Sequence, residues 1–511
     1  MKDESENTLQ KDKGRTMTDE PQRVPSSPLF ILHPSAFILL FLVGCTSNSP
    51  SVNKTASLPF QSQEMEILTP KSLNLPILWE VLRQEWSSQT GASARFVEYD
   101  ANGPVPQQST LEAVSGGRLV LFPLEKLCDL DSQLSPLPAT DREFDSRDIF
   151  KGLRERALSR EQQIIASPIS VPVLVCYYRK DLLRLAHRKP PGTWDEYYEL
   201  INSLDSWAPG LTAVEPLNPE FRATTFFARS LAFCKHPENY SVWFDIDSAK
   251  PTLTSPGFVE ALETARRSWS KLPPDVLTYG PADCRRQVLT GKAAIALSFE
   301  THNFELPPHS TIDSGLKDQR SEGIELGICR LPGSRRVYNR NSKKWDTMPQ
   351  GAIHAPALCG FAGLAAGVIL PSKPDREVAA SNLLVSLAST SLFDQAFASL
   401  PKGPCRESQL PLAPSWFGPE LSSEEASQYT DAVAQSLRDS QLVFELPVIG
   451  ANEFRRAVSD GLDSLLRGES DSGQTSNDLQ VAFEAIVERL GRDAFRDSHR
   501  RGLGLSPSPK K

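Results

Sequence analysis

Glu98 and Asp100 lie two residues apart at a strand end, so their carboxylates share a face. Hydrolysis of a glycosidic bond needs a pair of carboxylates of this kind, although an isolated E-x-D is also an ordinary surface feature. No G-x-S-x-G elbow, no H-E-x-x-H helix and no P-loop occurs in the 511 residues. The histidines are scattered. His302 and His309 lack metal-ligand spacing, and His302 reads as a solvated loop residue that could touch a ligand. Cys128, Cys176, Cys234, Cys284, Cys329, Cys359 and Cys405 form no C-x-x-C and no metal finger. Their number is odd, so internal pairing would leave one thiol free, and small buried side chains are the plainer reading. Nothing here implies a metal, a cofactor or a catalytic constellation, and the expectation is a protein that is not an enzyme.

Cys45 carries the most specific chemistry. It ends Leu42-Val43-Gly44-Cys45, which closes the apolar run 36–44 (AFILLFLVG). The run has signal-peptide length and is too short to span a bilayer. The tetrapeptide is similar to a bacterial lipobox, in which the thiol is diacylated and the cysteine becomes the new N-terminus. Several acyl chains on one residue suffice for stable anchoring, whereas single chains bind only marginally. The polar stretch Thr46–Phe60 then reads as a flexible tether. The segment before the run is long, Arg23 is its nearest basic residue, and Met17 offers an alternative start.

The elements that follow alternate between strand and helix. Met65–Leu68 is a strand candidate, and residues 75–90 put Leu78, Val81, Leu82 and Trp86 on one helical face before Gly91. Residues 94–99 alternate as a strand, 108–115 form a short helix, and Arg118–Phe122 is a buried strand. This βαβαβ opening implies a parallel sheet with helical crossovers. Ligands gather at the carboxyl ends of such strands, which puts Thr69, Lys71 and Glu125 at a mouth, where ordinary loop polarity is the competing reading. Further on, Gln163–Ser170 and Val173–Tyr178 read as strands broken by Pro172, and Thr193 and Glu196 have capping-box spacing. The chain is leaving one lobe there and entering another.

The words in that stretch, Tyr177-Tyr178-Arg179-Lys180-Asp181-Leu182 and then Pro190-Pro191-Gly192-Thr193-Trp194-Asp195-Glu196, resemble the family 1 extracellular solute-binding proteins, which include the maltose binders. Glu215-Pro216 is similar to the family's cleft motif, with Leu217 where the family has an aromatic residue. Gly291-Lys292-Ala293-Ala294-Ile295 resembles its "GKAAM" strand, whose end here is Ser298-Phe299-Glu300-Thr301-His302 without the frequent Trp. Gly360–Ala365 resembles the strand that recrosses between lobes, followed by an amphipathic helix over Ser372–Ser389. Leu446–Phe454 resembles the loop and helix start that close the cleft, and residues 477–498 read as one long helix.

The resemblance implies an α/β fold, a two-lobed periplasmic-binding-protein-like clamshell with crossing hinge strands. Residues 1–45 are read as the lipoprotein signal peptide and 46–61 as the tether; lobe one takes 62–170 and 358–400, and lobe two takes 171–357 and 401–511. Lys71, Glu125, Ser170, Glu215, Tyr279, Glu300, Phe361 and Arg455 are expected to line the cleft, and Cys45 to carry the lipid. Among the aromatic candidates Tyr240, Trp243, Phe244, Tyr279, Trp345 and Trp416, Tyr279 is kept because the family places a cleft Tyr just before its "GKAAM" unit. The implied partners are a small solute, suspected to be a carbohydrate, and ABC transporter permease subunits, for an extracytoplasmic monomer anchored to a bacterial membrane. A net charge of -8 and a basic tail interleaved with Asp493 and Asp497 argue against nucleic acid. Two other functions stay open: a lipid-anchored glycan hydrolase, and a binding protein that senses or scaffolds without transport.

Overall fold

The computed structural model describes residues 58–71, 85–101, 103, 105, 117–137, 144–300, 320–370, 378–387, 403–417 and 420–506. Cys45, the tether up to residue 57, His302, His309 and the expected helix over 108–115 lie outside these residues. Of the expected helices over 75–90 and 372–389, the stretches 85–90 and 378–387 are described, and both are helical.

Two sheets organise the chain. The first has the order β2-β1-β3-β14-β6, from β1 (Glu64–Pro70), β2 (Ser93–Tyr99), β3 (Arg118–Pro123), β6 (Ser167–Ser170) and β14 (Leu364–Val368). β1 pairs in parallel with β2 and β3, as the alternating opening requires. β14 runs antiparallel between β3 and β6, so a strand from late in the chain completes a sheet begun early. Its sequence LAAGV is buried throughout and β3 is nearly so, the continuous apolar pattern of strands covered on both faces. Before β6, the hairpin β4 (Ser159–Arg160) and β5 (Gln163–Ile164) turns at Glu161 and Gln162, both at positive φ.

The second sheet has the order β10-β7-β9-β8, from β7 (Val175–Arg179), β8 (Thr212–Val214), β9 (Ala293–Ser298) and β10 (Leu326–Arg330). β9 starts inside the GKAAI word, at Ala293, and is wholly buried. Opposite Tyr178, Gly327 leaves the space its ring occupies, since a Cβ there would sit 2.1 Å from the ring. The capping box over Thr193 and Glu196 is present: the Glu196 amide donates to Thr193 Oγ1, and the Thr193 amide donates to Glu196 Oε2. A further hairpin joins β11 (Arg336–Asn339) and β12 (Lys344–Thr347).

The chain crosses between the sheets at residues 171–174, all buried, and again between Ala357 and Leu364. In the second crossing β13 (Leu358–Cys359) pairs in parallel with β15 (Val443–Phe444). Residues 403–409 pack on the first-sheet side: Val171 donates to the Gly403 carbonyl, Phe150 to the Cys405 carbonyl, and Ser408 Oγ to Asp148.

The helix read over 477–498 is two helices, Ser472–Leu490 and Arg492–Gly502. Gly491 breaks them with φ +85° and ψ 112°, a conformation that leaves the helical register. Trp243 and Phe244, considered as exposed platforms, are core residues at 3% and 1% exposure, and Tyr240 is exposed. None of the seven described cysteines is in a disulfide, and six of them are buried.

Candidate ligand-binding site

The first helical turn after β3 brings Glu125 to the junction of the two sheets. The amide of its neighbour Leu124 donates a hydrogen bond to the Gly363 carbonyl at 2.9 Å, so the β3 end is pinned against the second crossing. Gly363 is required here: a Cβ would lie 2.9 Å from the Ser170 carbonyl oxygen and 3.2 Å from Leu124. Ser170, Leu124 and Gly363 thus meet at one corner.

Helix Ala451–Leu466 begins after Gly450, whose φ of +71° turns the chain from the Pro447 loop into the helix. Its second turn carries Arg455. Arg455 Nε donates to Glu445 Oε1 at 2.8 Å and its Nη1 to Asn452 Oδ1 at 2.6 Å. Thr224 Oγ1 also donates to Glu445 Oε1, at 3.0 Å. Glu445 is fully buried and follows β15 directly; its amide is held by the Cys359 carbonyl at 2.8 Å. Arg222 ties its helix to the same side by donating to Asp463 at 2.7 Å and to the Ser459 carbonyl.

Three atoms of this cluster are buried and have no hydrogen-bond partner among the described residues: Glu125 Oε2, Glu445 Oε2 and Arg455 Nη2. Buried polar groups are normally hydrogen-bonded, and leaving one unmade costs about 1–3 kcal/mol. Burial pushes the Glu125 carboxyl up, Arg455 pulls it down, and Glu445 pushes it up further. Glu220 is also raised by burial, with Arg455 opposing. Arg455 therefore faces Glu125 from the first sheet and Glu445 and Glu220 from the other side. Beside the charges, Phe361 packs on Phe299 at 5.7 Å, and Phe299 on Phe221 at 6.2 Å, a chain of rings from the second crossing to the end of β9.

The eight expected residues divide. Glu125, Phe361 and Arg455 come together at the junction, and Ser170 is beside them at the β6 end. Tyr279 is adjacent in backbone terms, since its carbonyl accepts from the Asn218 amide, but its hydroxyl donates to Asp275, which with burial lifts it to about 12. Lys71 is exposed at the β1 end, its amide bonded to the Tyr99 carbonyl. Glu215 is buried directly after β8 of the second sheet, both oxygens engaged by Arg229 at 2.6 Å and Trp269 Nε1 at 2.9 Å. Glu300 is buried between Tyr177 and Arg285, at 2.7 and 2.8 Å. Glu445 was missed. The signal was a lone carboxylate in the apolar run Leu442–Val448, a residue type rarely buried unless paired.

A guanidinium flanked by carboxylates offers donors and acceptors in one place, and the phenylalanine faces offer apolar cover. That combination can hold an uncharged molecule with several hydroxyls, each both donating and accepting. Among the described residues no group of His, Cys, Asp and Glu could hold a metal ion, and no helix is long and apolar enough to cross a membrane.

No protein-family model and no curated protein sequence matches the chain. Solved structures do. The sugar-binding protein MalE from the phytopathogen Xanthomonas citri is similar with a TM-score of 0.58 and 18% identity, over 84% of this chain and 98% of that one. Maltose-bound MalE3 of T. maritima gives 0.56 and 16%, over 83% and 100%. An ABC transporter solute-binding protein from Agrobacterium vitis S4 with bound D-mannitol gives 0.55 and 16%, over 84% and 99%. The likeness is one of fold: a two-lobed, MalE-like α/β architecture.

Proposed function

We propose that this chain is an extracytoplasmic solute-binding lipoprotein that captures a small carbohydrate or polyol between its lobes and delivers it, as a monomer, to an ABC importer. The observation that carries the reading is the set of unanswered buried atoms on Glu125, Glu445 and Arg455 at the sheet junction. A polyhydroxylated ligand supplies hydroxyl donors to the two carboxylates and an acceptor to the guanidinium. Contacts from both lobes favour the closed form, and a ligand touching one lobe alone would shift nothing. The sugar- and polyol-bound structures that share the fold support this solute class. The lipobox at Cys45 supports the anchor and the compartment.

Calorimetric titration of the chain with maltose, D-mannitol and ribitol tests the reading. At least one is expected to bind saturably, with Arg455→Ala weakening it by roughly tenfold to a hundredfold, the scale of a charged hydrogen bond lost. No saturable heat across neutral sugars and polyols would count against it. A second reading, glycan hydrolysis, has one observation in its favour: a carboxyl raised by burial beside a second carboxylate. Free sugar released from an oligosaccharide, and abolished by Glu125→Gln, would replace binding with turnover.

A further inference from the structure

Beside the crossing strands lies a cavity of about 120 Å³, lined by both residues of β15, Val443 and Phe444. Phe444 lines it, while the next residue, Glu445, turns to Thr224 and Arg455, as alternation along an extended chain requires. Its walls are apolar: Leu442, Phe444, Leu446 and Leu503. Its polar lining is one-sided. Arg156, Lys235, Trp243 and His499 line it, and among the described residues no Asp or Glu does. Trp243 and His499 are 3% and 2% exposed, and Trp243 Nε1 and His499 Nδ1 are buried with no hydrogen-bond partner among the described residues. Lys235 is 6% exposed, and its ammonium donates to the Asn239 carbonyl at 2.7 Å and weakly to that of His236 at 3.4 Å, leaving donor capacity. Arg156 spends one Nη1 contact on the Leu442 carbonyl at 3.4 Å.

We propose that this cavity is a second ligand site, for a compact carboxylate with an apolar ring or short chain. The carboxylate would be held by Lys235, Trp243 Nε1 and the Arg156 guanidinium, and the apolar body by the leucines and Phe444. An indole N–H can only donate, so its unanswered position calls for an acceptor. Gln441, whose amide oxygen is also unanswered, can present its NH₂ instead, since the two ends of an amide are interchangeable by rotation. The electrostatics agree with the geometry. Burial, with Arg156 and Arg340 nearby and Asp439 opposing, pulls the Lys235 ammonium down to about 8. Burial and Arg340 likewise pull His499 down to about 4. The site is positive and lacks a counter-charge among its described lining residues; an anion with an apolar body supplies one and fills the space.

The probes are benzoate and phenylacetate, with benzyl alcohol as the uncharged counterpart, titrated into the intact chain by ligand-observed NMR. Benzoate or phenylacetate is expected to bind saturably and at least tenfold more tightly than benzyl alcohol. Lys235→Met should weaken the carboxylate by tenfold or more, and Trp243→Phe by about three- to tenfold, the range of one neutral hydrogen bond. Leu503→Trp, which fills the cavity from its wall, should abolish binding while the thermal unfolding transition persists; it serves if Lys235→Met does not fold. Arg455→Ala should leave carboxylate binding unchanged, which separates this site from the junction. No saturable carboxylate binding, equal affinity for benzyl alcohol, or affinity untouched by Trp243→Phe and Leu503→Trp would each overturn the proposal.

Discussion

Glu215 and Glu445 are both fully buried, and what separates them is whether the second oxygen is answered. Arg229 and Trp269 take both oxygens of Glu215, and the Arg229 guanidinium lies 3.8 Å above the Trp194 ring, so the pair is closed. Arg229→Met should cost about 3–5 kcal/mol in urea unfolding, because it strands a buried charge. The double change Arg229→Met with Glu215→Gln should recover most of that loss while keeping an acceptor for Trp269; a double variant no better than the single would refute the pairing. His499 makes a separate prediction. Burial pushes it down to about 4, with Arg340 and Arg500 adding and Asp245 opposing. Between about pH 6.5 and 4 the unfolded chain takes up a proton here that the folded chain refuses. Neutral His499 therefore contributes stability present above about pH 6.5 and lost as pH falls through 4, worth about 3 kcal/mol. His499→Phe, packed against Phe244 and Phe495, should flatten the acid side of a stability profile measured from pH 7 to 4. An unchanged slope would assign it to other groups.

At the scale of elements, periodicity and capping were readable from local sequence. β1, β2 and β3 fall within two residues of their expected ends, and the Thr193–Glu196 box starts its helix where the spacing puts it. The single helix over 477–498 was the failure. Its apolar face continues across Gly491, and the pattern does not say that this glycine leaves the helical region. A Cβ at Gly491 would meet nothing within 4 Å, so the effect of Gly491→Ala is one of backbone alone. With φ at +85° and ψ at 112°, it should destabilise by about 1–3 kcal/mol in urea unfolding. A neutral substitution would mean that the two helices straighten without cost.

At the scale of the whole molecule, the crossings at 171–174 and 357–364 connect two sheets that a ligand at Glu125, Glu445 and Arg455 would draw together. Small-angle scattering of residues 46–511 should show a smaller radius of gyration with the bound sugar or polyol. A ligand confirmed by calorimetry that leaves the radius unchanged would rule out closure. Anchoring is testable apart from binding. Cys45→Ser should release the chain from the membrane fraction or leave its precursor unprocessed, and unchanged retention with unchanged processing would remove the lipobox reading.

The sequence by itself determined what is local: the alternation of strand and helix, the apolar run into Cys45, the capping spacing, and an ordered series of words along one chain. Those words were enough for the fold, because a two-lobed architecture is specified by the order of its elements. Which polar residues face a ligand was decided only in three dimensions. Glu215, Glu300 and Glu445 are all carboxylates beside apolar strands, and nothing in the spacing distinguishes them. The first two meet arginines from the helices Arg222–Cys234 and Pro281–Leu289, Arg229 and Arg285. Glu445 meets Arg455 with one oxygen and has the other unanswered, across from a Glu125 that arrives from the far end of the chain. A buried charge is neutralised or exposed to a ligand by whichever partner the tertiary fold brings within about 3–4 Å, and that partner can lie anywhere in the sequence.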